Sequence, residues 1–194
     1  AFKNVNFQES AIKTIQFGNN DLPNYLDLTP FNLTNVNFFN CTSLERIKGI
    51  NLVTSNGSTF KECSNLISIE GNVTYSGTPS QAFYGCGKLT GLPTLDLSGV
   101  TNSSEMFYYC SSLNYNQMLS ILSELSNCTG FWRTFAGCSG ISHNGWEKSM
   151  FDRIPKAVSL DRTFEGTNIR GQIEHGVFDN LPNLQSVVCL FQEK

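Results

Sequence analysis

The sequence predicts a repeat solenoid, with a parallel β ladder on one face and mixed short strands and short helices on the other. Three observations carry that expectation: a phenylalanine recurs every 22–31 residues, a cysteine follows it by three positions, and an aliphatic residue follows it by six. A unit this short cannot bury its own apolar edge, so units stack and each contacts its neighbours.

The frame is plainest in Phe60-Lys-Glu-Cys63-Ser-Asn-Leu66, Phe83-Tyr-Gly-Cys86-Gly-Lys-Leu89 and Phe107-Tyr-Tyr-Cys110-Ser-Ser-Leu113. Phe38/Cys41/Leu44 and Phe135/Cys138/Ile141 fit it as well. Phe7-Gln-Glu-Ser10-Ala-Ile12 and Phe164-Glu-Gly-Thr167-Asn-Ile169 lack the cysteine and one residue, and Phe191 anchors a further copy. A second register agrees. Leu26-Asp-Leu28-Thr29 and Leu95-Asp-Leu97-Ser98 each end a leucine pair thirteen residues before a repeat cysteine. Phe151 and Phe178 each precede an anchor by thirteen. Residues 1–194 therefore read as a single solenoid of about seven to eight units. Both ends fall inside the pattern, which reads as a fragment of a longer chain.

Each element follows from this frame. Stretches ending at an anchor, such as Ser159–Phe164 and Gln185–Phe191, read as the strands of the ladder. Leu44, Leu66, Leu89 and Leu113 then line the interior. Early units leave room opposite the ladder only for short extended pieces such as Leu66–Ile69. Later units have space for a helix. Trp146, Met150 and Ile154 are spaced by four, as are Ile173, Val177 and Leu181, which predicts one helical face used twice. Asn144 with Glu147 resembles a capping box, and Pro155 and Pro182 stop the helices.

Composition narrows the function. The chain is 40% hydrophobic and 15% charged, with 13 basic against 16 acidic residues and a formal charge of −3. A chain without a basic excess carries no footprint for nucleic acid or an anionic membrane. The longest apolar run, Val187–Phe191, is far short of a span, so this segment predicts no membrane insertion.

The motifs Ser104-Glu-Met-Phe107-Tyr-Tyr-Cys110-Ser-Ser-Leu113 and Leu95-Asp-Leu-Ser98 resemble the BspA-like branch of leucine-rich repeats. The resemblance implies a leucine-rich-repeat-like superhelix without catalytic motif or cofactor. Proteins of this kind are mostly secreted or on the surface of bacteria, with some in protists and phages, and act as adhesins or binding scaffolds. The resemblance thus implies an extracellular or cell-surface recognition module, not an enzyme. Its ligand would be a protein or glycan on a host or neighbouring cell. The alternative is a structural spacer or phage-type virion component carrying another functional domain.

Candidate residues follow by position. Five of the seven cysteines share one repeat position, with no Cys-x-x-Cys pair, so they read as stacked buried thiols and not as a metal site. His143 and His175 lie outside any hydrolase motif and read as surface residues. The variable positions two and three residues before each anchor would lie on the ladder, where side chains can meet solvent. Trp132, Arg133, Asp161, Arg162 and Glu105 are the candidate ligand-binding residues, because Trp and Arg dominate binding hot spots. The competing reading packs Trp132 over a neighbouring rung and pairs Arg133 with Asp161 across the ladder. Tyr108 and Tyr109, just past an anchor, are weaker candidates.

Overall fold

The computed structural model describes residues 14–16, 24–29, 32–33 and 35–191. The copy anchored at Phe7 lies outside the described residues. Anchor residues from Phe38 to Phe164 are all buried, and their six rings stack nearly parallel. Successive centroids lie 5.2, 5.2, 5.0, 5.7 and 5.8 Å apart. Each fully buried ring contributes about 1.5–3 kcal/mol over leaving it exposed, and this column is the spine of the fold. Leu44, Leu66, Leu89, Leu113 and Ile141 line the interior as their spacing requires.

Cysteines form a second column. All seven are unbridged, and those at the repeat position are buried. They do more than fill space. The thiols of Cys63, Cys86, Cys110 and Cys138 donate at 3.0–3.1 Å to the anchor carbonyls of Phe38, Phe60, Phe83 and Phe107, one rung back. Those same carbonyls accept a backbone N–H from the cysteine of their own rung. A buried carbonyl thus has both lone pairs occupied, which water would otherwise have to do.

Regular strands are parallel throughout. β1 (Thr14–Gln16) pairs with β4 (Asn35–Asn37). β2 (Tyr25–Asp27) and β3 (Asn32–Leu33) pair with β5 (Arg46–Thr54), which continues to β6 (Ser68–Gly77) and β7 (Thr94–Val100). β8 (Ser142–Trp146) pairs with β9 (Asn168–Ile173). In β5 the side chains of Ile47, Ile50, Leu52 and Thr54 face the core, and Gly49 marks the break in alternation. Its φ is +68°, and a Cβ there would sit 2.6 Å from the Thr29 backbone. Gly71 presses on the Ile50 carbonyl in the same way. The long strands bend at these glycines and so follow two sides of each rung.

The ladder therefore exists, but the strands lie elsewhere on the rung than the sequence suggests. Among the described strands only β4 immediately precedes its anchor. Ser159–Phe164 and Gln185–Phe191 are runs of turns joined to their neighbours by isolated bridges and backbone hydrogen bonds. The N–H groups of Ser103, Glu105, Phe107 and Tyr109 donate to the carbonyls of Gly130, Trp132, Thr134 and Ala136 on the next rung. The alternate N–H groups of Met106, Tyr108 and Cys110 close four-residue turns within the rung. Short polar side chains set these turns. Asn56 and Asn102 accept from the backbone N–H two residues on, at Ser58 and Ser104, and such local bonds compete with extension into a strand.

All eight described non-glycine residues with positive φ fall two positions before or after an anchor. Asn40, Glu62 and Tyr109 follow theirs, sharing that slot with Gly85, Gly137 and Gly166. Gln81, Glu105, Arg133, Arg162 and Cys189 precede theirs, on five consecutive rungs.

Helices differ from expectation too. α1 (Tyr115–Glu124) starts at Asn114, whose side chain accepts from the Gln117 N–H while the Gln117 side chain accepts from the Asn114 N–H. It buries Met118, Ile121 and Leu122. The box expected at Asn144 and Glu147 does not form: Asn144 belongs to β8, and Glu147 makes no capping bond. α2 (Lys148–Phe151) is a single turn. Trp146, Met150 and Ile154 are buried all the same. Their four-residue spacing reflects burial along a bent segment whose first part pairs with β9. The second expected helix is a series of turns, broken by Gly176 at φ +70°.

Candidate functional site

The turn face carries the candidate residues. The position two before the anchor holds Gln81, Glu105, Arg133 and Arg162, each in the left-handed region. That conformation aims successive side chains outward from one column. Lys61 Nζ donates to Gln81 Oε1 at 2.7 Å, and Gln81 Nε2 donates to Glu105 Oε2 at 2.7 Å, so one hydrogen-bonded chain crosses three rungs. Glu165 then gathers the two guanidinium groups, with Arg133 Nε at 3.7 Å and Arg162 Nη1 at 3.5 Å.

Aromatic rings interleave with these charges. Lys61 Nζ lies 5.2 Å from the Tyr84 ring centre and 5.9 Å from that of Phe39. The Arg133 guanidinium lies 4.9 Å from the Trp132 ring and 5.8 Å from that of Tyr108. Tyr84 and Tyr108 stack with centroids 4.9 Å apart, and Tyr109 meets Tyr108 edge-on. Burial pushes the Tyr108 phenol up to about 12, and it raises Tyr84 too. Both therefore stay protonated at neutral pH. Tyr109 lies over Gly137, where a Cβ would sit 2.4 Å from its ring.

Trp132, Arg133, Arg162 and Glu105 thus share one strip, with Trp132 43% exposed. Arg133 pairs with Glu165, not with the Asp161 carboxylate. Asp161 instead accepts from the Ser186 hydroxyl and the Val188 N–H on the next rung. The Ser186 bond holds its carboxyl below the ordinary range. Phe39, Lys61, Tyr84 and Glu165 were not singled out from the sequence. All four stand directly after an anchor, so reading that column across the repeat would have found them.

His143 is half-buried, its ring stacked on Tyr115 at 3.9 Å and its Nε2 2.9 Å from Glu147 Oε1. The nearby hydroxyl, Ser149, bonds Glu147 and not the imidazole, so these groups are not ordered as a nucleophile, base and orienting acid. A groove of about 370 Å³ between β7 and α1 is lined by Leu92, Pro93, Leu95 and Ile121, with Glu124 its one titratable group. Among the described residues no group of three or more His, Cys, Asp or Glu side chains converges as a metal site. No helix among them is long and apolar enough to cross a membrane.

A family model described as the BspA type leucine rich repeat region matches residues 32–149 in six copies. No curated protein matches the chain. The matched region spans more than half of the chain and carries all five repeat cysteines. Beyond it, Phe164 continues the same stack. Family and fold together make the chain a leucine-rich repeat scaffold. This chain belongs to the BspA-type leucine-rich repeat family.

Proposed function

We propose that this chain is a non-catalytic recognition module of a secreted or surface protein, engaging a protein or glycan ligand through the strip around Trp132 and Arg133. Glu105 and Arg162 extend that strip, and Asp161 braces its edge against the next rung. One observation carries the reading. Five consecutive rungs hold a side chain two positions before the anchor, in a left-handed backbone conformation that glycine adopts freely. A non-glycine residue there costs about 1–2 kcal/mol. Strain repeated along one half-buried surface column points to side chains retained for what they contact.

The test is a binding screen of the folded chain against matrix proteins, mucins and glycans, with Trp132→Ala/Arg133→Ala and Arg133→Gly alongside. Saturable binding should be lost in the double variant. Arg133→Gly should weaken binding while leaving the denaturation midpoint equal or higher. Binding that survives both changes places the ligand elsewhere. Absence of binding by any probe favours the second reading, a spacer or virion component, which the polar outer face of β5–β7 (Arg46, Lys48, Glu70, Asp96) would suit.

A further inference from the structure

The strip's outward chemistry narrows the ligand further, on the reading that this face is the recognition surface. Its principal members are Phe39, Lys61, Tyr84, Tyr108, Arg133 and Trp132. In the middle of the strip the rings are occupied, Tyr84 by Lys61 and Tyr108, and Tyr108 by Tyr84 and Arg133, whereas Phe39 and Trp132 each meet one cation and stay 43% exposed. A sugar stacks on an open ring face, and the strip offers exposed rings only at its two ends, Phe39 and Trp132, with polar groups between them. The carboxylates of Glu105 and Glu165 are already engaged by Gln81 and the two arginines, so the polar groups left to meet a ligand are mainly donors: ammonium, guanidinium and indole groups donate only, and a protonated phenol donates as well.

An acceptor-only ligand complements such a surface. Proline lacks an N–H, and a polyproline II helix forms no internal hydrogen bonds, so its carbonyls all seek donors. Dimensions are close. Phe39 and Tyr84 occupy one repeat position two rungs apart, where the anchor rings step 5.2 Å per rung, or about 10.4 Å over the two. One polyproline II turn of three residues rises about 9.3 Å. Lys61 lies within reach of both rings and gives one N–H to Gln81, which leaves two to meet a ligand carbonyl while proline rings pack against the aromatic side chains. Aromatic-lined surfaces with polar donors are a recurrent solution for such ligands.

We propose that the strip docks a proline-rich segment in the polyproline II conformation, lying along the solenoid axis with one ligand turn per two rungs. Decaproline is the probe, with a Gly/Ser peptide of equal length and a soluble β-linked oligosaccharide as comparisons. Isothermal titration calorimetry reads binding in every variant, and emission of the exposed Trp132 gives a second signal in the unsubstituted chain and in Tyr84→Ala. Decaproline should bind saturably and the Gly/Ser peptide should not. Tyr84→Ala and Trp132→Ala should each weaken binding by about tenfold, with unchanged far-UV circular dichroism and melting showing that the variants are folded. Decaproline binding no tighter than that of the Gly/Ser peptide, or insensitive to both substitutions, overturns the proposal. If decaproline fails but the oligosaccharide or a matrix protein binds and is lost in Trp132→Ala/Arg133→Ala, the recognition reading stands and the proline assignment falls.

Discussion

The two halves of the solenoid share one spine and differ in how much helix lies opposite it. From Phe38 to Phe107 the anchors are 22 to 24 residues apart, the far side is the β5–β6–β7 sheet, and ring centroids lie 5.0–5.2 Å apart. From Phe107 to Phe164 the spacing is 28 and 29 residues, the far side holds α1 and α2, and the rings separate to 5.7 and 5.8 Å. A sheet fixes its neighbours at about 4.8 Å, whereas a helix with its side chains is about 10–12 Å across. Extra residues per rung thus make room for helix beside the β8–β9 pair, and the thicker element goes with the wider ring spacing. The anchor hydrogen bonds survive this, with Phe107 and Phe135 still donating at 3.0 and 2.9 Å.

The largest effect expected from this contrast is on the rings. Phe60→Ala and Phe135→Ala should each cost about 3–5 kcal/mol in urea denaturation, with Phe60 the costlier, since close contacts lose more when an atom is removed. Phe135 costing as much or more would show that ring spacing does not set cohesion. Next comes the thiol column, which crosses both halves. Cys110→Ala should cost about 1–2 kcal/mol, because it opens a small cavity and removes the second donor to the Phe83 carbonyl. Burial pushes the Cys86 and Cys138 thiols up to about 12 and raises Cys110 well above its ordinary value. A thiol reagent at neutral pH should therefore label at most one cysteine of the folded chain, the half-buried Cys189. Labelling of several before unfolding would break the picture of a closed column. Asn114→Ala should cost about 1 kcal/mol through the lost cap, with amide exchange speeding first in α1 and little in β5–β7. Arg133→Ala, on the surface, should shift stability by no more than about 0.5 kcal/mol.

What the sequence revealed follows from how each feature is encoded. Interior columns are legible because one residue type must recur wherever rungs touch, as at Phe83, Phe107 and Cys110. Strand placement was not, because Asn56, Asn102 and Ser159 make local bonds that convert apolar stretches into turns. The apolar period of residues 146–154 gave the buried side chains correctly and the wrong element, since pairing with β9 outweighed helix spacing. The cap that does form, Asn114 with Gln117, was present as Asn-x-x-Gln. Trp132, Arg133, Arg162 and Glu105 were found by position. Phe39, Lys61 and Tyr84 were hidden inside the anchor motif, where the eye assigns every letter to the core.

The slots flanking each anchor have one more consequence. Because the backbone there is held by bonds between rungs, residues as unlike as Gln81, Glu105, Arg133 and Cys189 occupy the same place. Inheritance can then overwrite the outside of such a protein one rung at a time while the inside stays unchanged. Lengthening the array enlarges the alphabet of surfaces on offer without requiring a new fold.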